Sequence, residues 1–344
     1  MNIAIQSLQK SDRWLQRFAW LTVLAAFALV LIGSLVTTNG AGMAFADWPL
    51  SSGSLNPPGW WDNISMRLEH GHRLFAGFVA TLVVVLYAWV LVQQASLPKI
   101  AGRLALLALV GVLAQAVLGG MRVVFDPQGV AAVNATVATV FRVLHGCFAH
   151  LEFAVLVLLA ASLGTRWEPA MAGIQIPGIK LIRTLGWVTF GFIFLQLAVG
   201  ATIRHLGIGL VIPYFPKASA TSWLPAVSSG YAHLHFTHSR LIALLILLGA
   251  VLLALSVLRN GAAKAALGRP TLLLLALISL QIVLGVALIW TLRSQLPTTL
   301  HVINGAWIFA VSLLLAVRAT SLASSQCIAR RVNVPHPFAE RAAV

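Results

Sequence analysis

Charge is what this sequence has least of. Only 9% of its 344 residues are charged, against roughly 25% in a soluble globular protein. With 59% hydrophobic residues and a mean hydropathy of +0.91, no water-soluble fold of this length buries so much apolar surface, so the bilayer must be the solvent. Acidic residues are scarcer still, at eight against 23 lysines and arginines. The two cysteines, Cys147 and Cys327, are too few for a disulfide framework. They are expected on opposite faces of the membrane, which forbids a bond between them. There is no CxxC or CxxCH motif, which excludes thioether attachment of a haem and a zinc site of that type. No cleavable signal peptide is expected, because the first apolar stretch is too long for one and follows a basic, amphipathic lead.

What the sequence has in quantity is long apolar runs. A bilayer core takes about 20 apolar residues per helix, and eight stretches qualify: 16–37, 70–96, 101–123, 140–163, 181–203, 233–258, 270–292 and 300–320. The net charge of +15 does not point to nucleic acid, because of where the charges lie. Lys10, Arg13 and Arg17 precede the first run, and Lys99 and Arg103 flank the second loop. Arg166, Lys180 and Arg183 flank the fourth loop, and Arg259, Lys264 and Arg269 the sixth. Arg318, Arg330, Arg331 and Arg341 follow the last run. These fifteen of 23 basic residues fall on alternate loops, and the positive-inside rule makes that side cytoplasmic, with both termini inside. The fold class expected is all-α integral membrane.

The chain also repeats itself. Gln115-Ala-Val-Leu-Gly119 recurs as Gln281-Ile-Val-Leu-Gly285, 166 positions later. Glu69-x-x-His72 recurs as His235-x-x-His238 at the same offset. Gly33 with Asp47-Trp48-Pro49 recurs as Gly200 with Tyr214-Phe215-Pro216, 167 later, and His145 is matched by His301, 156 later. Four matches in one order predict two parallel four-helix bundles, residues 1–166 and 167–344, with the boundary in the Pro- and Gly-containing loop near 164–180. The cytoplasmic loops leave no room for a soluble domain. The two longest loops, about 38–68 and 204–232, face outside, where Trp48, Trp60, Trp61 and Trp223 suit a membrane interface.

His72, His145, His238 and His301 are the four repeat-related histidines. Each lies in the first two turns of an expected helix that runs from outside to inside, so all four share one shallow depth. Ionisable groups inside a membrane are costly and are functional candidates. Two facing helices of a four-helix bundle can offer two imidazoles to the opposite faces of one haem iron. His72 with His145, and His238 with His301, then give one haem per half. The bland alternative is that each histidine hydrogen-bonds a neighbouring helix. His336 belongs to the tail. His70 is rotated about 200° from His72 on a helix and reads as interfacial. His150 reads as polar packing, His205 and His233 have no assigned role, and His235 stands in the place of Glu69.

Glu69 shares a helix face with His72 through its i, i+3 spacing. It either acts on a group bound at His72 or caps the helix N-terminus, where negative charge is favoured. Glu152 is expected to pair with a polar neighbour. Arg73, Arg122, Arg142, Arg204 and Arg240 lie near outer helix ends, where topology does not explain them. They are candidates for haem propionates through charge-assisted hydrogen bonds, Arg204 first, or else they snorkel to headgroups.

With these residues in place the whole chain resembles the haem A synthases. Gly33-Ser-Leu-Val-Thr37 through Gly40-Ala-Gly42 and Asp47-Trp-Pro49 is similar to that family's first-helix signature. Glu69-His-Gly-His72-Arg73 is similar to its Glu-x-x-His-Arg motif, and His145, His238 and His301 fall at the other ligand positions. The resemblance implies oxidation of the C8 methyl of haem O to the formyl group of haem A, for terminal oxidases in the plasma membrane. It implies haem O as substrate at His72 and His145 in the first half, and a resident haem b on His238 and His301 in the second. Glu69 would lie beside the reacting methyl and stabilise charge or move a proton. The implied partners are haem O, an electron donor of unknown identity, the enzyme that makes haem O, membrane lipid and a second copy of the chain; no nucleic acid is implied.

Two departures from the family stand out. Where many bacterial members carry a cysteine pair in the first outer loop, this chain has Phe45 and Ser51. Where members often have His-Arg in the second half, Ser239 separates His238 from Arg240, which leaves His235 competing for the third ligand position. The residues leave three functions open: a haem-modifying enzyme, a di-haem cytochrome b that only passes electrons, and a haem transporter or chaperone. All four ligands on one side, and Glu69 next to one of them, favour the enzyme over a carrier spanning both faces.

Overall fold

A computed structural model describes the backbone of residues 2–128, 134–164, 167 and 175–332, and the side chains of 13–128, 134–164, 167 and 175–326. Among these residues the regular secondary structure is all helical apart from one isolated bridge between Ser51 and Ser54. Eight helices are long and apolar enough to cross a membrane. They are α1 (Asn2–Thr38), α2 (Ile64–Val92), α3 (Lys99–Val124), α4 (Ala135–Ser162), α5 (Ile179–His205), α6 (Gly230–Leu258), α7 (Gly261–Trp290) and α8 (Gln295–Val332). Within α6 the segment Thr237–Ile242 is π-helical. The expected bundle boundary near residue 166, with Arg166 and Pro169, lies outside the described residues, as do His336 and Arg341. The Cys327 side chain is likewise outside them, and Cys147 is buried and free.

Most helices begin earlier than their apolar runs, because polar caps sit upstream of the first apolar residue. The Asn63 side chain accepts from the amides of Ser65 and Met66, Asn134 from Val137, Ser229 from Ala232 and Asn260 from Ala263. Each satisfies amide donors that a helix start leaves open. The seventh helix starts at Gly261 rather than at Pro270, which sits inside it. Transmembrane helices tolerate such a proline where neighbours re-satisfy the freed carbonyl. The earlier starts place His72, His145 and His238 roughly two to three turns in, whereas His301 stays within the first two turns of its helix.

Helix α1 packs on α2 and α4, and α3 on α2 and α4; α5 packs on α6 and α8, and α7 on α6 and α8. The two sets meet where α8 lies against α1 and α4, and α4 against α5. The longest connections, 39–63 and 206–229, lie at the same end of the molecule, called here the loop-rich end. Leu24, Val84, Leu107, Leu244 and Leu272 are exposed on the outer faces, a surface that only lipid tolerates.

Between the two sets sits an aromatic triad. Phe153 of α4 meets Trp307 of α8 edge-on at 5.0 Å, and Phe27 of α1 lies 5.8 Å from Trp307 and 6.1 Å from Phe153. Lipid tails are as apolar as these rings, so close packing rather than water exclusion holds the seam. Phe153 is 1% exposed, and Phe153→Ala leaves a cavity worth roughly 3 kcal/mol. Thermal unfolding in detergent is expected to drop accordingly, with larger loss than for a lipid-facing Leu107→Ala.

Candidate functional site

Each of the four histidines stands over a glycine of the preceding helix. A Cβ added to Gly33 of α1 would lie 3.1 Å from His72 Cε1, and one on Gly119 of α3 would lie 3.1 Å from His145 Cε1. On Gly200 of α5 it would lie 2.7 Å from His238 Cε1, and on Gly285 of α7, 3.4 Å from His301 Cε1. A side chain would collide with the ring at Gly200 and crowd it at Gly33 and Gly119, whereas at Gly285 it would make ordinary contact.

Three of the four seats have a second part. The side-chain amide of Gln115 donates to the His145 carbonyl at 2.9 Å, Gln196 to that of His238 at 2.8 Å, and Gln281 to that of His301 at 3.1 Å. Each glutamine precedes its seat glycine by four residues, so both lie on one helix face. The sequence reading missed Gln196, although Gln196-Leu-Ala-Val-Gly200 repeats the spacing of Gln115 to Gly119 and Gln281 to Gly285. The corresponding residue on α1 is Leu29, so His72 has the glycine without the amide.

The rings are half-buried. Among the described residues, the Nδ1 atoms of His72, His238 and His301 are enclosed with no hydrogen-bond partner, while His145 Nδ1 is 3.1 Å from Gln115 Nε2. Three of the four are therefore not placed to hydrogen-bond a neighbouring helix through that nitrogen. His72 and His145 lie within electrostatic range of each other, as do His238 and His301. Among the described residues no three His, Cys, Asp or Glu side chains converge as a bare ion would want. Paired imidazoles fit a metal whose remaining ligands come with a macrocycle.

Glu69 is 2% exposed and does not cap α2, a task taken by Asn63. Its Oε1 pairs with Arg73 at 2.7 Å and its Oε2 accepts from the Phe45 amide at 3.1 Å. Arg73 also donates to the carbonyls of Phe45, Asp47 and Leu50. His70 is buried: Nδ1 lies 2.9 Å from Ser51 Oγ and the ring is edge-on to Trp60 at 4.8 Å. Phe45 and Ser51 thus tie the first loop to α2 through an amide, a carbonyl and a hydroxyl. Asp47 closes the loop tip by accepting from the Ser52 and Gly53 amides, each at 2.8 Å. Burial alone would raise its carboxyl, but the Gly53 and Ser52 amides outweigh that and hold it below its ordinary value.

The other expected residues find varied partners. Arg122 donates to the Gly42 carbonyl at 3.0 Å, and Arg142 pairs with Asp126, a buried acid the sequence reading passed over. Arg73 and Arg122 act electrostatically on His72. Arg204 of α5 crosses to α1, donating to the Ser34 carbonyl at 2.9 Å and to Thr38 Oγ1 at 2.8 Å. Arg240 donates to the carbonyls of Tyr214, Pro216 and Lys217, the second-half counterpart of Arg73. His205 lies in the field of Arg122 and Arg142 and acts on His145. His150 packs between α4 and α8, its Nδ1 donating to the Gly146 carbonyl at 2.8 Å. Glu152 does not find the polar neighbour expected for it: its carboxylate lies against Gly111, and Oε1 has no partner among the described residues.

These features define a multi-pass membrane protein with two histidine pairs toward one end of its helices. The chain belongs to the COX15-CtaA family of cytochrome oxidase assembly proteins, whose model matches residues 16–317. Among similar proteins are those named heme A synthase from Bacillus cereus (strain 03BB102) and Bacillus anthracis (strain A0248). Each is 26% identical over 315 residues, spanning 89% of this chain and 94% of the relative. The heme A synthase of Bacillus cereus (strain G9842) is 26% identical over 317 residues.

Two outcomes follow. Gly200→Ala displaces the His238 ring, whereas Gly285→Ala meets His301 at ordinary contact distance; spectra of the purified variants are expected to change for the first and hold for the second. Asp47 with its lowered pKa stabilises the loop above the ordinary carboxylate range and loses that contribution as pH falls through the lowered value. Hydrogen exchange at Ser52 and Gly53 is expected to rise in Asp47→Ala at neutral pH, and in the parent only under acid.

Proposed function

We propose that this protein is a haem A synthase, oxidising the C8 methyl of haem O to a formyl group. The observation that carries the reading is a matched set of four glycine-seated imidazoles with one carboxylate-bearing pair. We further read the chain as two parallel four-helix repeats, 1–166 and 167–344, both termini inside and the loop-rich end outside, in the plasma membrane. The neighbour relations of the helices and the placement of basic residues support this.

In this reading His72 and His145 hold the haem O substrate, and His238 and His301 hold a haem b. Bound haem supplies the redox chemistry; the protein supplies position, field and proton handling. Glu69 lies about one turn from His72 on the same face, so its carboxylate would be available to a group held there. Arg73 and the Phe45 amide fix its orientation, which prepares it to stabilise positive charge developing at the methyl carbon or to take up a proton released there. The second half has His235 at this position, without a carboxylate, which fits a pair that ligates but does not oxidise. Arg73, Arg122 and Arg142 of the first four helices, and Arg204 and Arg240 of the last four, supply cations suited to propionates. The missing glutamine behind His72 leaves that imidazole the least constrained of the four, as suits a site whose occupant must exchange.

Chromatographic haem analysis tests this. The purified parent is expected to carry haem b together with haem O, its hydroxylated form or haem A. His238→Ala is expected to lose haem b, and His72→Ala the haem O-derived pigment. Glu69→Gln should slow formyl formation by about 10²-fold with haem b retained. Haem b as the sole pigment, with Glu69→Ala leaving the pigment profile unchanged, overturns the reading in favour of an electron carrier.

A further inference from the structure

The π-helical segment of α6 records a change of register. At the start of this helix, second-half residues match first-half ones at an offset of 166: His235 with Glu69, both buried, and His238 with His72, each over its glycine. From Arg240 to Val257 the offset is 167. Arg240 matches Arg73 in binding loop carbonyls. The buried face of α2, Val79, Val83, Leu86 and Val90, is matched by Ile246, Ala250, Leu253 and Val257 of α6, all at 167. One residue has been added between the ligand and the arginine, and the π-helical turn Thr237–Ile242 is where the helix absorbs it.

We propose that Ser239 is this inserted residue, and that it positions His238: its bulge lets one helix present His238 to the Gly200 seat while Arg240 and the packing face keep the first-half register. The proposal rests on the reading of His238 as a haem ligand. In a regular helix each residue turns the chain by 100° and advances it 1.5 Å. Without the extra residue, either the His235–His238 face or the Ile246–Val257 face must rotate by that amount. The approach to the helix matches this account. Pro49 lies 23 positions before His72, whereas Pro216 lies 22 before His238. The second-half loop is one residue short, and the bulge makes up the difference. Serine also serves the bulge chemically. Its hydroxyl donates to the His235 carbonyl and accepts from Arg240, occupying backbone and guanidinium groups that the bilayer would leave unsatisfied. The same insertion moves Arg240 to the fifth residue after His235, where Arg73 is the fourth after Glu69. The direct contact that Arg73 makes with Glu69 is therefore replaced by one through Ser239.

The test uses the full-length protein in detergent, read by the low-spin bis-histidine signal of the second-half haem in absorption and electron paramagnetic resonance. Deleting Ser239 is expected to abolish that signal. Deleting Ser239 and inserting one glycine between 224 and 229 recreates the first-half spacing, with contiguous His-Arg, and is expected to restore it. Ser239→Ala keeps the chain length and is expected to retain the signal. A deletion that leaves the signal intact, a glycine insertion that fails to restore it, or loss of the signal in Ser239→Ala overturns the proposal. His238→Ala serves as the reference. If it keeps the signal, the ligand assignment itself fails and the proposal with it; if it loses the signal while the Ser239 deletion keeps it, only the register argument fails.

Discussion

An imidazole inside a bilayer must be held by protein, because lipid offers it neither a hydrogen bond nor a counter-charge. In this chain the holding is done by a glycine beneath each ring, and for three of the four by a glutamine amide on the backbone carbonyl behind it. The rest of the architecture follows from that requirement. The glycine-bearing helices α1, α3, α5 and α7 must lie directly against the histidine-bearing α2, α4, α6 and α8. The glutamine must fall four residues before the glycine so that both reach the same neighbour. The aromatic triad of Phe27, Phe153 and Trp307 then fixes how the two sets of helices meet.

The loops at the end nearest the histidines are part of the same construction. Arg73 and Arg240 do not extend toward headgroups; they gather loop carbonyls onto the helices. Their donors hold together segments that carry no regular secondary structure. Glu69 enters this network as an acceptor for Arg73 and for the Phe45 amide, which places a buried carboxylate one turn from a glycine-seated histidine at modest electrostatic cost. Arg204 does something different by reaching from α5 to α1. It gives the two sets of helices a polar contact at the level of the histidines, in addition to the apolar seam.

The two halves are similar in plan and unequal in detail. The first has Glu69 and lacks a glutamine on α1. The second has His235, a full set of glutamines and a π-helical turn that includes His238. The proposed assignment of a resident group to the second half and a substrate to the first rests on these differences.

Apolar run length, the alternate placement of lysine and arginine, and the repeat spacing were enough to predict eight membrane helices and to single out four histidines. These are local or periodic properties that the bilayer imposes on any sequence crossing it. Helix starts were less legible, because Asn63, Asn134, Ser229 and Asn260 cap upstream of the hydrophobic runs. The sequence left His235 and His238 as rivals; only the packing of α6 on α5 brings His238 to Gly200 and turns His235 toward the Gly209 backbone. Gln196 was in plain view as a spacing, yet its role appears only when its amide meets the carbonyl of a residue 42 positions away. The partners of Arg142 and Arg204, and the lack of one for Glu152 Oε1, depend on how each helix is rotated about its axis. That rotation is set by contacts summed over several neighbours, and no single stretch of sequence contains it.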